Sequence, residues 1–203
     1  MNQNYSNLCE EIINSLDCTP NLLLHSCCAP CSSYVISYLS NYFNITILYY
    51  NPNISPKEEY NKRKEEQIRL IKELKTKNKV DFLDCDYDND IYEELIKGLE
   101  HEKEGGPRCY KCFTLRLEKT AILAKKLNYH FFGTTLTVSP YKNSTVINSI
   151  GEELSNKYQI NWLYSDFKKK DGYKQSIILS KKYNLYRQNY CGCIYSKKES
   201  VLD

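Results

Sequence analysis

Five short apolar segments alternate along the chain with longer segments that have the spacing of amphipathic helices. The apolar segments are rich in β-branched or aromatic residues and end at turn-forming or cysteine residues, as strands do. They are Asn21 to Ser26, Ile45 to Tyr50, Val80 to Cys85, His130 to Leu136 and Trp162 to Tyr164. Strands that alternate with helices predict a parallel sheet with right-handed crossovers. We therefore expect an α/β fold, a three-layer doubly wound parallel sheet, in a single metal-binding domain over residues 1–203.

Two of the helical segments can be placed by their start. Ser55, Pro56 and Glu58 have the order of a capping box with proline at the first helical position, which predicts Ser55 as an N-cap. The apolar face of this helix would contain Ile68, Ile71 and Leu74. A second helix is expected to begin near Cys109.

The first strand runs directly into a cysteine-rich stretch, LLLHSCCAPCSSY. In doubly wound sheets the ligand binds beyond the carboxyl ends of the strands, where the strand order reverses. Seven of the ten cysteines form three short groups: Cys27, Cys28 and Cys31; Cys109 and Cys112; Cys191 and Cys193. The remaining three are interpreted as small apolar residues of the core, namely Cys9, Cys18 and Cys85. The first group therefore lies where chemistry is expected.

The cysteines are not needed as disulfides, because 203 residues are enough to bury a core. No run approaches the roughly 18 apolar residues of a membrane span, and the first residues lack the zones of a signal peptide. We therefore expect a cytoplasmic protein with no membrane partner. In that reducing compartment, cysteine groups indicate metal or redox chemistry.

The spacing within each group brings its thiols together. Cys109 and Cys112 would share one face at a helix start, where the dipole favours the thiolate that binds metals. Cys191 and Cys193 would point to the same side of an extended segment. Four thiolates complete one zinc site or one iron–sulfur cluster. Seven cysteines therefore indicate a second metal nearby.

The first cysteine group also argues against two enzyme classes. A radical-SAM motif needs C-x3-C-x2-C, but Tyr34 stands where the third cysteine is required. Nucleotide-activating enzymes carry a glycine-rich loop after the first strand, whereas HSCCAPCSS contains no glycine. Two alternatives remain: a zinc-stabilised RNA-binding protein, and a thiol–disulfide oxidoreductase that uses Cys28 and Cys31.

Five motifs cover nearly the whole chain: LLLHSCCAPCSSY, YYNPNISPKEEYNKR, GGPRCYKCFTLRL, FGTTLTVSPYKN and DFKKKDGYKQSIILSKKYNLYRQNYCGC. In these motifs and their order, the chain resembles the cobalamin-independent epoxyqueuosine reductases, the QueH family. The resemblance implies a Rossmann-like (HUP-like) fold and the reduction of epoxyqueuosine to queuosine at the wobble position of a tRNA anticodon. This is a two-electron deoxygenation that requires an external donor such as ferredoxin or flavodoxin, and no cobalamin.

The resemblance also implies a [4Fe-4S] cluster beside one additional iron ion. Our interpretation assigns the cluster to Cys27, Cys31, Cys109 and Cys112. It assigns the separate iron to Cys28, Cys191 and Cys193.

Other residues in the matched motifs are candidates for proton transfer and for tRNA binding. The candidate catalytic proton donors, chosen by residue type, are Tyr141, Asp171 and Tyr190. The candidate tRNA contacts are the basic residues Arg63, Lys142, Lys168, Lys169, Lys170 and Arg187. His25 is interpreted either as a hydrogen-bonding group near the cluster or as a buried polar residue of the strand end.

Overall fold

A computed structural model describes residues 3–197 of the chain. The strands of this part are β1 (Asn21–His25), β2 (Asn44–Leu48), β3 (Val80–Leu83), β4 (Phe131–Thr134) and β5 (Asn161–Trp162). The helices are α1 (Tyr5–Asn14), α2 (Ala29–Leu39), α3 (Lys57–Glu73), α4 (Asn89–Leu95), α5 (Pro107–Lys126), α6 (Ser144–Tyr158) and α7 (Gly172–Lys182). A 3-10 turn, Leu136–Val138, follows β4.

The strands form one sheet in the order β3-β2-β1-β4-β5, and every neighbouring pair is parallel. The chain proceeds from β1 to β3 on one side and then crosses to β4 on the other, so the order reverses between β1 and β4. His25, the last residue of β1, pairs with Leu48 of β2 and with Thr134 of β4. The prediction of a doubly wound parallel sheet is confirmed, and the end of β1 lies at its switch point.

Alternate residues of β1 supply the two faces of the sheet, as the two-residue period of a strand requires. Leu22 and Leu24 pack with residues of α2 and α3 in one apolar cluster. Leu23 packs with residues of α5 and α6 in another cluster on the opposite face. Helices therefore cover both faces, which gives the predicted three layers and leaves the strand ends as the place for a ligand.

Helix α3 begins one residue later than predicted, because Ser55 is not its N-cap. The Ser55 N–H donates to the Gly192 carbonyl at 3.0 Å, and the N-cap is Pro56. The capping-box prediction is wrong because the chain before α3 is bound to the C-terminal segment instead of to its own helix. The buried face of α3 is also more polar than predicted, and it comprises Tyr60, Arg63, Gln67 and Leu70.

Helix α5 begins at Pro107, which places Cys109 and Cys112 in its first two turns and confirms the predicted helix start. Proline suits this position because its missing N–H has no partner at the beginning of a helix. Among residues 3–197, no helix has both the length and the apolar character that a bilayer crossing requires.

Candidate metal centre

The first cysteine group forms a compact triad at the carboxyl end of β1. The backbone of Cys28 is extended and Cys28 is the N-cap of α2, so the chain turns there and Cys31 comes back toward Cys27 in the first helical turn. The sulfur atoms of the three residues lie within 4.8 Å of one another. The Sγ atoms of Cys27 and Cys28 are 3.8 Å apart. A set of three soft donors at this spacing fits a thiophilic metal.

The triad shares its protons unequally. Hydrogen bonds from the thiols of Cys27 and then Cys31 hold the pKa of Cys28 well below its ordinary value. The bond to Cys28 raises the pKa of Cys27, and the bonds to Cys27 and then Cys28 raise the pKa of Cys31. A thiolate at the start of α2 is also favoured by the helix dipole. Of the three residues, Cys28 therefore forms most readily the thiolate that binds metals.

The second and third cysteine groups are largely buried, and their sulfur atoms accept hydrogen bonds. Cys109 Sγ accepts from the Gly105 N–H at 3.3 Å, and Cys193 Sγ accepts from the Ser196 N–H at 3.4 Å. Burial raises the pKa of Cys112 to about 12 and that of Cys193 to about 11. Cys112 and Cys193 would therefore release protons when a metal binds.

Two buried cations lie among the three groups. The Lys142 ammonium donates to Cys191 Sγ at 3.3 Å, and Arg116 Nη1 donates to Cys112 Sγ at 3.8 Å. Burial alone would lower the pKa of Arg116, yet the thiolate forms of Cys112, Cys191 and Cys27 raise it. Burial is likewise outweighed at Lys142, where Cys191, Glu104 and Cys27 raise the pKa. Cys112 and Cys191 are thus each in direct contact with a buried cation.

Arg116 is held by two neutral groups. Its Nε donates to His25 Nε2 at 3.2 Å, and its Nη2 donates to Asn51 Oδ1 at 2.6 Å. His25 Nδ1 lies 2.9 Å from Thr134 Oγ1, and its Nε2 also lies 3.2 Å from the Tyr50 carbonyl oxygen. Burial, followed by the charge of Arg116, lowers the pKa of His25 to about 3. His25 is therefore a neutral hydrogen-bonding residue, in agreement with both of its interpretations.

The charges around Arg116 fit an anionic metal–thiolate group. Arg116 is 1% exposed, and no carboxylate of residues 3–197 forms an ion pair with it. A buried guanidinium is costly unless an opposite charge is near. Thiolates that form on metal binding provide that charge, and an all-sulfur donor set suits iron–sulfur clusters, iron or zinc.

The structure places the candidate tRNA contacts in two different environments. Arg63 is 1% exposed and donates to Glu59, while Lys142 is 9% exposed beside Cys191. The other four lie at the surface: Lys168 pairs with Asp166, Lys170 pairs with Glu10, Arg187 donates to the Tyr173 hydroxyl, and Lys169 is exposed. The positions of Arg63 and Lys142 favour a role at the cysteines, and tRNA binding by the six residues stays a prediction.

The three candidate proton donors also differ in placement. Tyr141 is 78% exposed, and Asp171 is exposed at the N-cap of α7. Tyr190 is half-buried, with the Arg63 guanidinium 4.9 Å from the centre of its ring. Of the three, only Tyr190 directly precedes a site cysteine in the chain.

The proposed division of the cysteines between two metals also stays a prediction. Cys28 was assigned to the separate iron, whereas its nearest thiols are those of Cys27 and Cys31. Among residues 3–197, only the triad brings three cysteine sulfur atoms within 4.8 Å of one another.

Sequence reasoning missed Arg116 and Asn51, which organise the charge of the centre. A signal for Arg116 was available in the spacing of α5. Arg108, Cys112 and Arg116 follow one another at four-residue intervals and are all buried on one face. Asn51 had no comparable signal, because its partner Arg116 is 65 residues away in the chain.

Comparison with known proteins gives a consistent result. A family model described as Epoxyqueuosine reductase QueH matches residues 22–199. The epoxyqueuosine reductase QueH of Streptococcus pyogenes serotype M1 is 44% identical over 186 residues, which cover 91% of this chain and 73% of that protein. The protein of the same description from Staphylococcus epidermidis is 40% identical over an alignment of 207 positions, which covers 98% of this chain and 87% of that protein. The protein of this description from Thermotoga maritima is 34% identical over an alignment of 187 positions, which covers 88% of this chain and 91% of that protein.

Proposed function

The chain belongs to the epoxyqueuosine reductase QueH family of oxidoreductases, and from that premise we propose that it reduces epoxyqueuosine to queuosine at the wobble position of a tRNA anticodon. The reaction consumes two electrons and two protons. The epoxide becomes a carbon–carbon double bond, and its oxygen leaves as water. The electrons come from an external one-electron donor such as ferredoxin or flavodoxin, and the tRNA substrate agrees with the cytoplasmic location expected from the sequence.

The observation that carries this proposal is the compact cysteine triad at the end of β1, together with the contacts of Arg116 with Cys112 and of Lys142 with Cys191. We assign a [4Fe-4S] cluster to Cys27, Cys31, Cys109 and Cys112, and a further iron to Cys28, Cys191 and Cys193. The cluster would supply one-electron transfer and the further iron a Lewis acid. The compact triad and the excess of thiols over the four that one metal group needs support a centre with two metals.

The residues of the chain supply charge and a proton. Arg116 and Lys142 keep positive charge beside the sulfur atoms, which lowers the cost of an anionic centre. Tyr190 is the best-placed proton donor of the three candidates, since it is half-buried and adjacent to Cys191. Burial raises the pKa of Tyr190, so its hydroxyl stays protonated near neutral pH. Tyr190 would donate this proton to the departing epoxide oxygen.

The first test is the metal content of protein purified without oxygen. We expect more than about four irons and about four acid-labile sulfides per chain, together with turnover of epoxyqueuosine-containing tRNA when reduced donor is added. Zinc without sulfide, even after anaerobic reconstitution, would instead support the zinc-stabilised RNA-binding protein. Iron-free protein that reduces disulfides would support the thiol–disulfide oxidoreductase.

Cys112 and Cys9 form a matched pair for the ligand assignment. Both are buried cysteines whose pKa is raised to about 12 by burial, but Cys112 accepts a hydrogen bond from Arg116, whereas Cys9 lies on α1 in an apolar core cluster. We expect Cys112→Ser to lose iron and turnover and Cys9→Ser to retain both. Full iron content in Cys112→Ser would contradict the assignment.

Tyr190→Phe tests the proton donor. The ring and its contact with Arg63 remain, whereas the hydroxyl is lost. We expect turnover to fall by about 10²–10⁴-fold, with iron content and tRNA affinity unchanged. Turnover equal to the parent protein would return the role to Tyr141 or Asp171, each tested by the same kind of conservative change.

A further inference from the structure

We propose that Arg116 is a positioning residue that sets the reduction potential of the metal group bound by the cysteines and helps to retain that group. This inference rests on the proposed function, because it concerns the same metal centre. It adds a residue to which neither the family description nor the cysteine motifs assign a role. Arg116 suits this role because of its position, its fixed orientation and the charges near it.

Arg116 extends from α5 one turn after Cys112, on the same helix face. Its three guanidinium nitrogens have three different partners: His25, Asn51 and the sulfur of Cys112. The first two fix the plane of the guanidinium, because each accepts a hydrogen bond from a different edge. The fold therefore holds a charged N–H against the sulfur of Cys112, and this contact does not depend on a freely rotating side chain.

The partners of Arg116 are themselves anchored to the ends of the central strands. His25 is the last residue of β1 and faces Thr134 of β4. Asn51 donates to the carbonyl of Ser26 at 2.8 Å, so it is tied to the chain that leads into the cysteine triad. The guanidinium is thus fixed to the same loop that carries Cys27 and Cys28.

The charge of Arg116 is not balanced by a carboxylate of residues 3–197, so it can act on the sulfur atoms. Two other buried cations beside the cysteines have carboxylates: Arg63 pairs with Glu59 at 2.6 Å, and Lys142 lies 3.6 Å from Glu104. Arg116 forms no such pair among residues 3–197, and its Nη1 donates to Cys112 Sγ at 3.8 Å. Its charge therefore acts directly on the thiolate set.

The sign of the effect follows from electrostatics. Each one-electron reduction by the external donor adds one negative charge to the bound group. A fixed positive charge and an N–H···S hydrogen bond both stabilise the more negative state, so both raise the reduction potential. Removing them should lower the potential and weaken the hold on the metal, as loss of an outer-shell partner does.

The test compares Arg116→Gln with Arg116→Lys, and uses Arg69→Gln as the matched control. Arg69 is a partly exposed arginine of α3 whose ion partners are Glu66 and Glu73. The readouts are iron and sulfide per chain and the midpoint potential from an anaerobic redox titration followed by electron paramagnetic resonance. We expect Arg116→Gln to shift the midpoint to lower potential and to lower iron affinity by about 10–100-fold. Arg116→Lys should recover part of the shift, and Arg69→Gln should match the parent protein.

A second variant keeps the test decisive if Arg116→Gln does not load metal. Asn51→Asp retains the guanidinium but places a carboxylate against it, which cancels its charge. It should also lower the midpoint potential while α5 remains intact. The proposal is overturned if Arg116→Gln, or in its absence Asn51→Asp, loads iron and sulfide and titrates at the potential of the parent protein.

These outcomes are separate from failure of the proposed function. If the parent protein itself contains no iron and no sulfide after anaerobic reconstitution, the redox function fails, and the role of Arg116 falls with it. If the parent protein is loaded and active but the potential does not respond to the charge at Arg116, only this inference fails.

Discussion

Three arginines of residues 3–197 are fully buried, and two of them, Arg63 on α3 and Arg116 on α5, have charges that are balanced in different ways. Each is 1% exposed. Arg63 donates to Glu59, one turn earlier on its own helix, at 2.6 Å. Arg116 donates instead to His25 and Asn51, which carry no charge. Arg63 has a counter-charge whenever the helix is formed, whereas Arg116 obtains one only from thiolates.

This difference separates a cation that stabilises the fold from one that suits the metal centre. Removing one partner of a buried ion pair leaves a charge without compensation, which is strongly destabilising. A buried guanidinium with only neutral partners is already costly in the metal-free protein. Substitutions at the two sites should therefore differ in how their effect depends on the metal.

The largest effect on stability is expected for Glu59→Gln. Arg63 would keep its hydrogen-bonding neighbour but lose its carboxylate, so we expect the free energy of unfolding to fall by about 3 kcal/mol. The loss should be similar in the metal-free and metal-loaded protein, because the pair lies within α3. Denaturant unfolding of the metal-free chain and thermal unfolding of both forms measure it. A loss that appears only in the loaded protein would break the comparison.

Arg116→Gln should change the stability of the metal-free protein very little. In the metal-free protein the lost hydrogen bonds to His25 and Asn51 are offset by removal of an uncompensated buried charge. We expect the free energy of unfolding of this form to change by less than about 1 kcal/mol. Denaturant unfolding under anaerobic, metal-free conditions tests this. A loss as large as that of Glu59→Gln would show that Arg116 is also a structural cation.

Tyr190 sharpens the comparison on the Arg63 side, since its ring faces that guanidinium at 4.9 Å. Replacement by leucine keeps apolar volume but removes the cation–π attraction, so we expect a loss of about 0.5–1 kcal/mol. Tyr190→Phe should keep the stability of the parent protein. Equal losses in both variants would assign the stabilisation to the hydroxyl instead of the ring.

The smallest effect is expected for an exposed ion pair between α3 and the residue that follows β3. Lys64 and Asp84 are 2.6 Å apart, with 24% and 60% of their side chains exposed. Water screens this pair, so Asp84→Asn should cost less than about 0.5 kcal/mol. The same unfolding experiment gives the result. A cost near that of Glu59→Gln would mean that burial does not explain the difference between the pairs.

The fold could be predicted because its pattern is local. Segment length, β-branched content and alternation with helices depend on neighbouring residues, and they located all five strands to within a few residues. The end of β3 shows the limit: the strand stops at Leu83, since the Cys85 N–H bonds to the Asp84 side chain instead of to another strand. Ser55 failed as an N-cap for a similar reason, because its N–H bonds to a residue far along the chain.

The candidate site was predicted only in part. The spacing of the cysteine groups and the position of the first group at a strand end were enough to indicate a metal centre. The environment of its cations was not. Lys142 was expected at a tRNA surface, but it lies against Cys191, which is 49 residues away in the chain. A basic residue has the same sequence signature whether it meets phosphate outside or thiolate inside.

From the sequence alone we could predict the order of strands and helices, the thiol groups and the family resemblance, because periodicity and motifs depend on consecutive residues. The tertiary structure was needed to show that Arg116 donates both to Cys112 on its own helix and to His25, which is 91 residues away in the chain. It also decided that this guanidinium has no carboxylate among residues 3–197, while Arg63 has one. The physical reason is that charge balance depends on distance and burial, and both arise only when the strand ends bring separate segments together.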